Sequence, residues 1–131
     1  MQTTQKFAKS KNVIWITVIS SAEGKQGYIQ PNDAVNTFAS FGSFPDHILV
    51  DENGDLGKKF NAKTTPHIFI ADKNKNIVYQ GAIDDAGGSK FWTTDLNQST
   101  NFVKKVVNDI KSNKPLSVSK TRPYGCSVKY G

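Results

Sequence analysis

Cys126 is the only cysteine of the chain and therefore the only side chain that offers thiol chemistry. Thiol–disulfide exchange needs a thiolate, and neighbouring positive charge favours its formation. Arg122 and Lys129 lie close to Cys126 in the sequence, and Gly125 directly before it gives access. We take Cys126 as the candidate catalytic thiol, with an unreactive tail cysteine as the alternative. A single cysteine cannot form an internal disulfide.

The other side chains that commonly act as ligands or acid–base groups do not indicate a metal or a cofactor. One cysteine excludes Cys₂ and Cys₄ zinc sites, and the two histidines, His47 and His67, lack metal-ligand spacing. Asp84 and Asp85 are adjacent carboxylates, but no nucleophile accompanies them, so we interpret them as a solvated loop. We expect neither a metal site nor a cofactor.

A second candidate site is the four-residue step that opens a predicted β-hairpin; its residues are Thr64, Thr65, Pro66 and His67. Residues 67–71 alternate and are rich in β-branched and aromatic types, residues 72–76 have turn composition, and residues 77–80 form a second strand. Proline cannot donate a ladder hydrogen bond, so Pro66 is expected at or just before the start of the first strand.

The elements that must position these residues alternate between strands and helices. In chain order the sequence predicts a helix end at 2–11, a strand at 13–19, a helix from Pro31 to Gly42, a strand at 47–50, a helical turn at 56–60, the hairpin, and a helix at 102–110 capped by Ser99 or Thr100. The strand at 13–19 is apolar on both faces, as is typical of an inner strand of a parallel sheet. We expect Phe41 and Phe44 in the core, and residues 116–131 as an extended basic tail on a domain of residues 1–115.

Three segments of the chain resemble the peroxiredoxin-like redoxins of the alkyl hydroperoxide reductase/thiol-specific antioxidant group. They are the step at 64–67, the run Tyr-Gln-Gly-Ala-Ile-Asp-Asp at 79–85, and the run Arg-Pro-Tyr-Gly-Cys-Ser-Val-Lys-Tyr at 122–130. The resemblance extends over about residues 13–130. It implies an α/β thioredoxin-like fold, with a mixed sheet, a terminal hairpin and flanking helices. The family's first strand and redox-cysteine motif have no counterpart, so we expect an N-terminally truncated form of that fold.

The resemblance also implies a geometry for the Thr65–Pro66 peptide bond. In this fold the corresponding bond is cis, and we expect it to border the main surface groove. The backbone of Thr65 would then be unpaired within the sheet and free to pair with an extended peptide. The groove residues would be those of the step at 64–67. The alternative is a proline at a strand start that binds nothing.

Two functions follow from the resemblance. The first is a redoxin-like domain of the thiol–disulfide oxidoreductase or peroxiredoxin type, inactive or incomplete in this chain because the cysteine motif is absent; whether the chain is an enzyme stays open. The second is a non-catalytic thioredoxin-like module that binds a peptide or protein. The expected partner is a protein or peptide thiol or disulfide, and we expect no ordinary redoxin turnover.

Composition sets limits on other partners and on the compartment. The net charge is +6, from 17 basic and 11 acidic residues, and the lysines are scattered rather than interleaved with aromatics. We therefore expect no nucleic-acid partner. No apolar run approaches the roughly 20 residues of a membrane helix. The first residues lack the apolar core of a signal peptide, which favours the cytoplasm unless a signal for the periplasm or for secretion lies upstream.

The absent first strand has a consequence for assembly. In the resembled fold that strand lies between the strand at 13–19 and the hairpin strand at 67–71. Its absence leaves apolar strand edges with unpaired backbone groups. Either these two strands pair directly, or a second copy of the chain completes the sheet. Of the two, we expect a homodimer.

Overall fold

The computed structural model describes residues 2–85 and 100–130. Its helices are α1 (Gln2–Ser10), α2 (Ala34–Ser40), α3 (Asp55–Lys59) and α4 (Phe102–Lys111), with a 3₁₀ turn at Pro31–Asp33 leading into α2. Its strands are β1 (Ile16–Ile19), β2 (His47–Val50), β3 (Thr64–Thr65), β4 (Ile68–Ala71), β5 (Ile77–Gly81) and β6 (Cys126–Ser127). This order gives a mixed α/β architecture; it contains the predicted elements and two further short strands, β3 and β6, that were not predicted. Phe91 and Trp92, which the sequence predicts in a polar loop, lie outside the described residues.

The chain divides into two compact units. The first consists of Met1–Ala62 together with Ser127–Gly131, and the second of Lys63–Cys126. Helices α1, α2 and α3 and strands β1 and β2 belong to the first unit. The hairpin of β4 and β5 belongs to the second, together with β3 and α4.

In the first unit, β1 and β2 form a parallel pair in which Val18 lies opposite Leu49. The prediction that this strand is covered on both faces is wrong. Ile19 is buried, whereas Ile16 is 52% and Val18 40% exposed. Because side chains alternate along a strand, Ile16 and Val18 share one face, and Leu49 is exposed beside them. Only the opposite face of β1 is packed.

The two phenylalanines after α2 also differ from the prediction, since Phe41 is 66% and Phe44 58% exposed rather than in the core. Gly42, with φ of 72°, ends the helix in the left-handed conformation. The backbone N–H of Phe44 donates to the side-chain oxygen of Gln5 (2.7 Å), and the Gln5 amide donates to Ser43 (3.2 Å). These bonds hold the turn through the Phe44 backbone and the Ser43 hydroxyl and involve neither phenylalanine ring.

Asp51 organises the start of α3 from its position directly after β2. Its carboxylate accepts hydrogen bonds from the Ser20 hydroxyl (2.8 Å), the Gly57 N–H (2.8 Å) and the Leu56 N–H (3.2 Å). Burial alone would raise the pKa of Asp51, but these hydrogen bonds outweigh it and hold the pKa below the ordinary 3.8. The ionised form is therefore the one that stabilises the helix start.

We expect Asp51→Asn to destabilise the protein at neutral pH and to lose this effect in acid. A carboxyl whose pKa is lowered by folding stabilises the native state above its unfolded pKa, and this stabilisation disappears as pH falls through the lower, folded pKa. The stabilities of the wild type and the variant, measured by urea titration, should therefore begin to converge as pH falls below about 3.8 and should meet below the folded pKa. Glu52→Gln is the control, because Glu52 accepts only a long surface bond from Tyr28 (3.3 Å). A constant difference at every pH would contradict the assignment.

In the second unit, β4 and β5 pair antiparallel, with Ile68 opposite Gly81. The predicted turn chemistry is confirmed, because the Asp72 carboxylate accepts from the N–H groups of Asn74 (2.9 Å) and Asn76 (3.0 Å). The buried core of this unit includes Tyr79, Ala82, Ile83, Val103, Val106 and Val107.

The start of α4 differs by one residue from the prediction. Asn101, in an extended conformation, accepts from the N–H of Lys104 (3.0 Å) and is the cap. Thr100 instead donates its N–H to Asp85 (2.8 Å), and Ser99 lies outside the described residues. The helix has the apolar stripe that its sequence spacing indicates, with Val103, Val106 and Val107 buried on one face.

Candidate functional site

The step that opens the hairpin is fixed by bonds within itself. The Thr65–Pro66 peptide bond is cis, which confirms the prediction. The Thr64 hydroxyl donates to the carbonyl of Pro66 (2.8 Å) and closes the turn from inside. Pro66 directly precedes β4, at the place expected for a residue without an N–H.

His67 is held in one orientation, in surroundings that favour its neutral form. The N–H of Lys63 donates to Nδ1 of His67 (3.1 Å), and the imidazole stacks on Phe69 with 4.5 Å between ring centroids. Burial, and after it the charge of Lys63, lowers the pKa of His67. An accepting Nδ1 carries no proton, so the hydrogen bond and the lowered pKa both favour the neutral imidazole. His67 therefore supports the backbone of the step, with Nδ1 already engaged.

The prediction that the backbone of Thr65 is unpaired is wrong. Strand β3, which consists of Thr64 and Thr65, pairs with β6, the strand that begins at Cys126. Gly125 makes this approach feasible: its φ is 131°, and a β-carbon there would lie 3.0 Å from the carbonyl carbon of Thr65. A segment of the same chain thus occupies the edge that was expected to receive a peptide.

The residues before Cys126 are also tied to the hairpin. The N–H of Gln80 donates to the carbonyl of Ser119 (3.1 Å), and the N–H of Thr121 donates to the carbonyl of Gln80 (3.0 Å). These two bonds make a parallel bridge between Gln80 and Lys120. The predicted tail is therefore bonded to β5 in this part.

A closed ring of hydrogen bonds at the end of β5 fixes Thr121. The hydroxyl of Tyr79, which is fully buried, donates to the carbonyl of Ala82 (2.5 Å) and lies 2.6 Å from the Thr121 hydroxyl. The N–H of Ala82 donates to that same Thr121 oxygen (2.9 Å). Since the tyrosine proton is used on the carbonyl, Thr121 must donate to Tyr79. Every polar atom of the ring is then satisfied.

Asp84 and Asp85 hold structure together rather than forming the predicted solvated loop. The Tyr124 hydroxyl donates to the Asp84 carboxylate, and burial followed by this hydrogen bond raises the pKa of Tyr124. Asp84 also makes an antiparallel bridge with Asn101, while Asp85 accepts from Thr100. Both residues therefore have local structural partners.

The structure brings Cys126 and the step at 64–67 together through the pairing of β6 with β3. Cys126 is exposed and has a free thiol. Of the two cations expected near it, Lys129 donates its ammonium to the Ser127 hydroxyl (2.9 Å). His47, the other histidine, begins β2 in the first unit.

A pocket of about 340 Å³ lies in the first unit, away from the predicted groove residues in sequence. It is lined by Lys9, Val35, Ser43, Phe44, Pro45, Asp46, His47 and Ile48. None of the four residues of the step lines it, so a groove bordered by Pro66 stays a prediction. Within residues 2–85 and 100–130, no three potential metal-ligating side chains are grouped to hold an ion, and no helix is long and apolar enough to cross a membrane.

Sequence reasoning missed the residues that anchor the C-terminal segment: Tyr79, Gly81, Thr121, Tyr124 and Gly125. Of these residues, the two glycines, Gly81 and Gly125, were the sequence signal that could have indicated the contact. A glycine inside or beside a strand often marks a close approach of another backbone. A β-carbon on Gly81 (φ 141°) would lie 2.8 Å from the backbone nitrogen of Thr121. A β-carbon on Gly125 would be similarly close to the backbone carbonyl of Thr65.

No family model and no curated protein match the chain. Among solved structures, a hypothetical protein from Sinorhizobium meliloti 1021 is similar, with a TM-score of 0.81 and 19% identity over 99% of this chain and 68% of that chain. An uncharacterized conserved protein from Geobacillus kaustophilus is similar over the same shares, with a TM-score of 0.79 and 19% identity. At this identity the likeness shows a shared fold.

Proposed function

We propose that the chain is a thioredoxin-like module of the redoxin type that binds a protein or peptide partner through thiol–disulfide exchange at Cys126. The observation that carries the proposal is the pairing of β3 with β6, because it places the only thiol on the strand beside the Thr64–Thr65 step. The order of elements supports the same fold: two β–α units, then a hairpin entered at Pro66, then α4.

The chemistry available to one thiol is a single exchange. The Cys126 thiolate attacks one sulfur of a partner disulfide, a mixed disulfide forms, and the partner's other sulfur leaves as a thiolate. No second cysteine exists in the chain to attack the mixed disulfide from within. The module therefore captures a partner and releases it only when an external thiol attacks, and it does not turn over as a reductase.

We expect insulin-reduction and peroxide-consumption assays to read as background, while an aromatic disulfide reagent releases one equivalent of thiolate per chain. The reason is the count of one exposed thiol. Cys126→Ser should release none. Sustained turnover by the wild-type chain, or unchanged release by the serine variant, would contradict the proposal.

A matched variant tests whether position matters beyond the presence of a thiol. Cys126→Ser combined with Ser127→Cys moves the thiol one residue along β6, and successive side chains of a strand point to opposite faces. Exchange with a peptide disulfide should slow by at least about tenfold, since proximity and orientation set such rates. Equal rates for both chains would show that β3 plays no part.

The second candidate function is a non-catalytic module that binds an extended peptide at β3. The specific observation in its favour is that β3 already accepts an extended segment, β6. A peptide would have to displace β6 or pair elsewhere along that strand. Peptide binding that is as tight to Cys126→Ser as to the wild type would favour this function over exchange.

A further inference from the structure

One edge of β1 is open in the first unit. The carbonyl of Trp15 accepts from the N–H of His47 (3.2 Å), and the carbonyl of Ile19 accepts from the N–H of Asp51 (2.7 Å). Backbone groups alternate in direction along a strand, so the N–H and C=O groups of Ile16 and Val18 point away from β2. Over the described parts of the chain, β1 pairs with β2 alone.

This open edge lacks the features that normally prevent edge-to-edge pairing. The stretch from residue 13 to 19 contains no charged residue and no proline. Natural edge strands are usually protected by lysine, proline or a bulge. The side chains beside the edge are also apolar and half exposed, with Ile16 at 52% and Val18 at 40%. An isolated parallel pair with one open apolar face is uncommon, because parallel sheets are normally covered.

We propose that a second copy of this chain pairs with β1 in antiparallel orientation, about a two-fold axis through Thr17. Ile16 then lies opposite Val18 of the second copy, and Val18 lies opposite its Ile16. Both residues direct their backbone groups to the open edge, so each opposite pair exchanges two N–H···O=C bonds. Thr17 lies on the axis, directly opposite Thr17 of the second copy, and these two residues form a non-hydrogen-bonded pair.

A second copy of the chain suits this edge because the edge strand is uncharged and the apolar side chains of the two copies would lie side by side. The chain has a net charge of +6, so two copies repel each other overall, and this repulsion is weakest where they meet through an uncharged surface. Residues 13–19 provide such a surface. In the resulting four-stranded sheet, Leu49 of one copy, Val18 beside it and Ile16 of the other copy lie in one row, because Val18 is already opposite Leu49. The open apolar face becomes continuous across the axis.

Sedimentation equilibrium of the full chain at micromolar concentration tests the proposal. The expected mass is twice the 14.4 kDa of one chain. Ile16→Lys and Val18→Glu should each weaken the dimer by at least about tenfold, because each puts a charge opposite an apolar side chain. Mixing the two variants should restore a dimer, since the new amine and carboxylate then lie directly opposite each other.

Val35→Lys is the control, because Val35 is 68% exposed on α2, outside the sheet, and the new charge should leave the mass unchanged.

A second measurement does not depend on folding of the charged variants. Thr17→Cys in a Cys126→Ser background should form a disulfide between copies on oxidation. The reason is that a residue on the two-fold axis lies opposite the same residue of the second copy. A monomer at all micromolar concentrations would overturn the proposal, as would a dimer that persists in both charged variants.

Discussion

Replacing Gly125 with alanine is expected to detach the C-terminal strand from β3. The φ of Gly125 is 131°, and the new β-carbon would lie 3.0 Å from the carbonyl carbon of Thr65 and closer still to its oxygen. The conformation alone costs about 1–3 kcal/mol for a residue with a side chain, before any steric overlap. Since the obstacle is backbone and cannot rotate away, β6 must move. We expect the free energy of unfolding to fall by about 2–4 kcal/mol.

Hydrogen exchange followed by mass spectrometry checks this result at the strand itself. The amides around Thr64 and Thr65 should exchange faster in Gly125→Ala than in the wild type, while those of α4 should keep their relative protection. Gly24→Ala is the matched control. Gly24 also has a positive φ, of 78°, but nothing lies within 4 Å of the new β-carbon. An equal loss of stability in both variants would show that the close approach to Thr65 is unimportant.

The same variant separates the two candidate functions. In the proposed exchange function Cys126 acts from its place beside β3, so release of the strand should slow exchange with a peptide disulfide. Peptide pairing along β3 has the opposite dependence, because the edge becomes vacant when β6 leaves. A gain in peptide affinity with loss of exchange would favour the binding module.

Elements that depend on local sequence were predicted closely. Strand β2 has the predicted bounds, His47 and Val50. The turn after β4 formed as expected because Asp72 bonds amides two and four residues away. Asn61, directly after the predicted helical turn at 56–60, has a φ of 57°, as is typical of a residue that ends a helix. In each case the determining contacts lie within a few residues, where propensity and pattern are informative.

Features that depend on distant residues were not predicted. The pairing of β3 with β6 joins residues about sixty positions apart, and no periodicity indicates it. The exposure of Ile16 was also not predicted, because an apolar run indicates a covered strand whether or not a covering layer is present. The redoxin resemblance located the Thr65–Pro66 step and Cys126, but nothing in it indicated that the chain would pair these two regions with each other. The candidate site is therefore half predictable: its residues were named, and their juxtaposition came from tertiary structure.

Replacing Tyr79 with alanine is expected to have the largest effect on stability of any single side-chain truncation among the described residues of the second unit. Tyr79 is fully buried, and its ring lies 6.3 Å from that of Phe102, between ring centroids. Truncating a buried aromatic side chain costs about 3–5 kcal/mol. The hydroxyl also completes the ring with Ala82 and Thr121, so the variant leaves a buried carbonyl without its donor. Against a total stability of about 5–15 kcal/mol, this loss is a large fraction of the stability of the fold.

Urea titration of the wild type, Tyr79→Phe, Thr121→Val and the double variant separates the contribution of the Tyr79 hydroxyl from that of its ring. Tyr79→Phe keeps the ring and removes the hydroxyl, for an expected loss of about 1–3 kcal/mol. Thr121→Val removes the acceptor of the Ala82 N–H, and the double variant should lose less than the two single losses together, because both act on one hydrogen-bonded ring. Tyr28→Ala is the control, since that hydroxyl makes only a surface bond to Glu52. Strictly additive losses would contradict the closed ring, and a small loss in Tyr79→Ala would contradict the core position of its side chain.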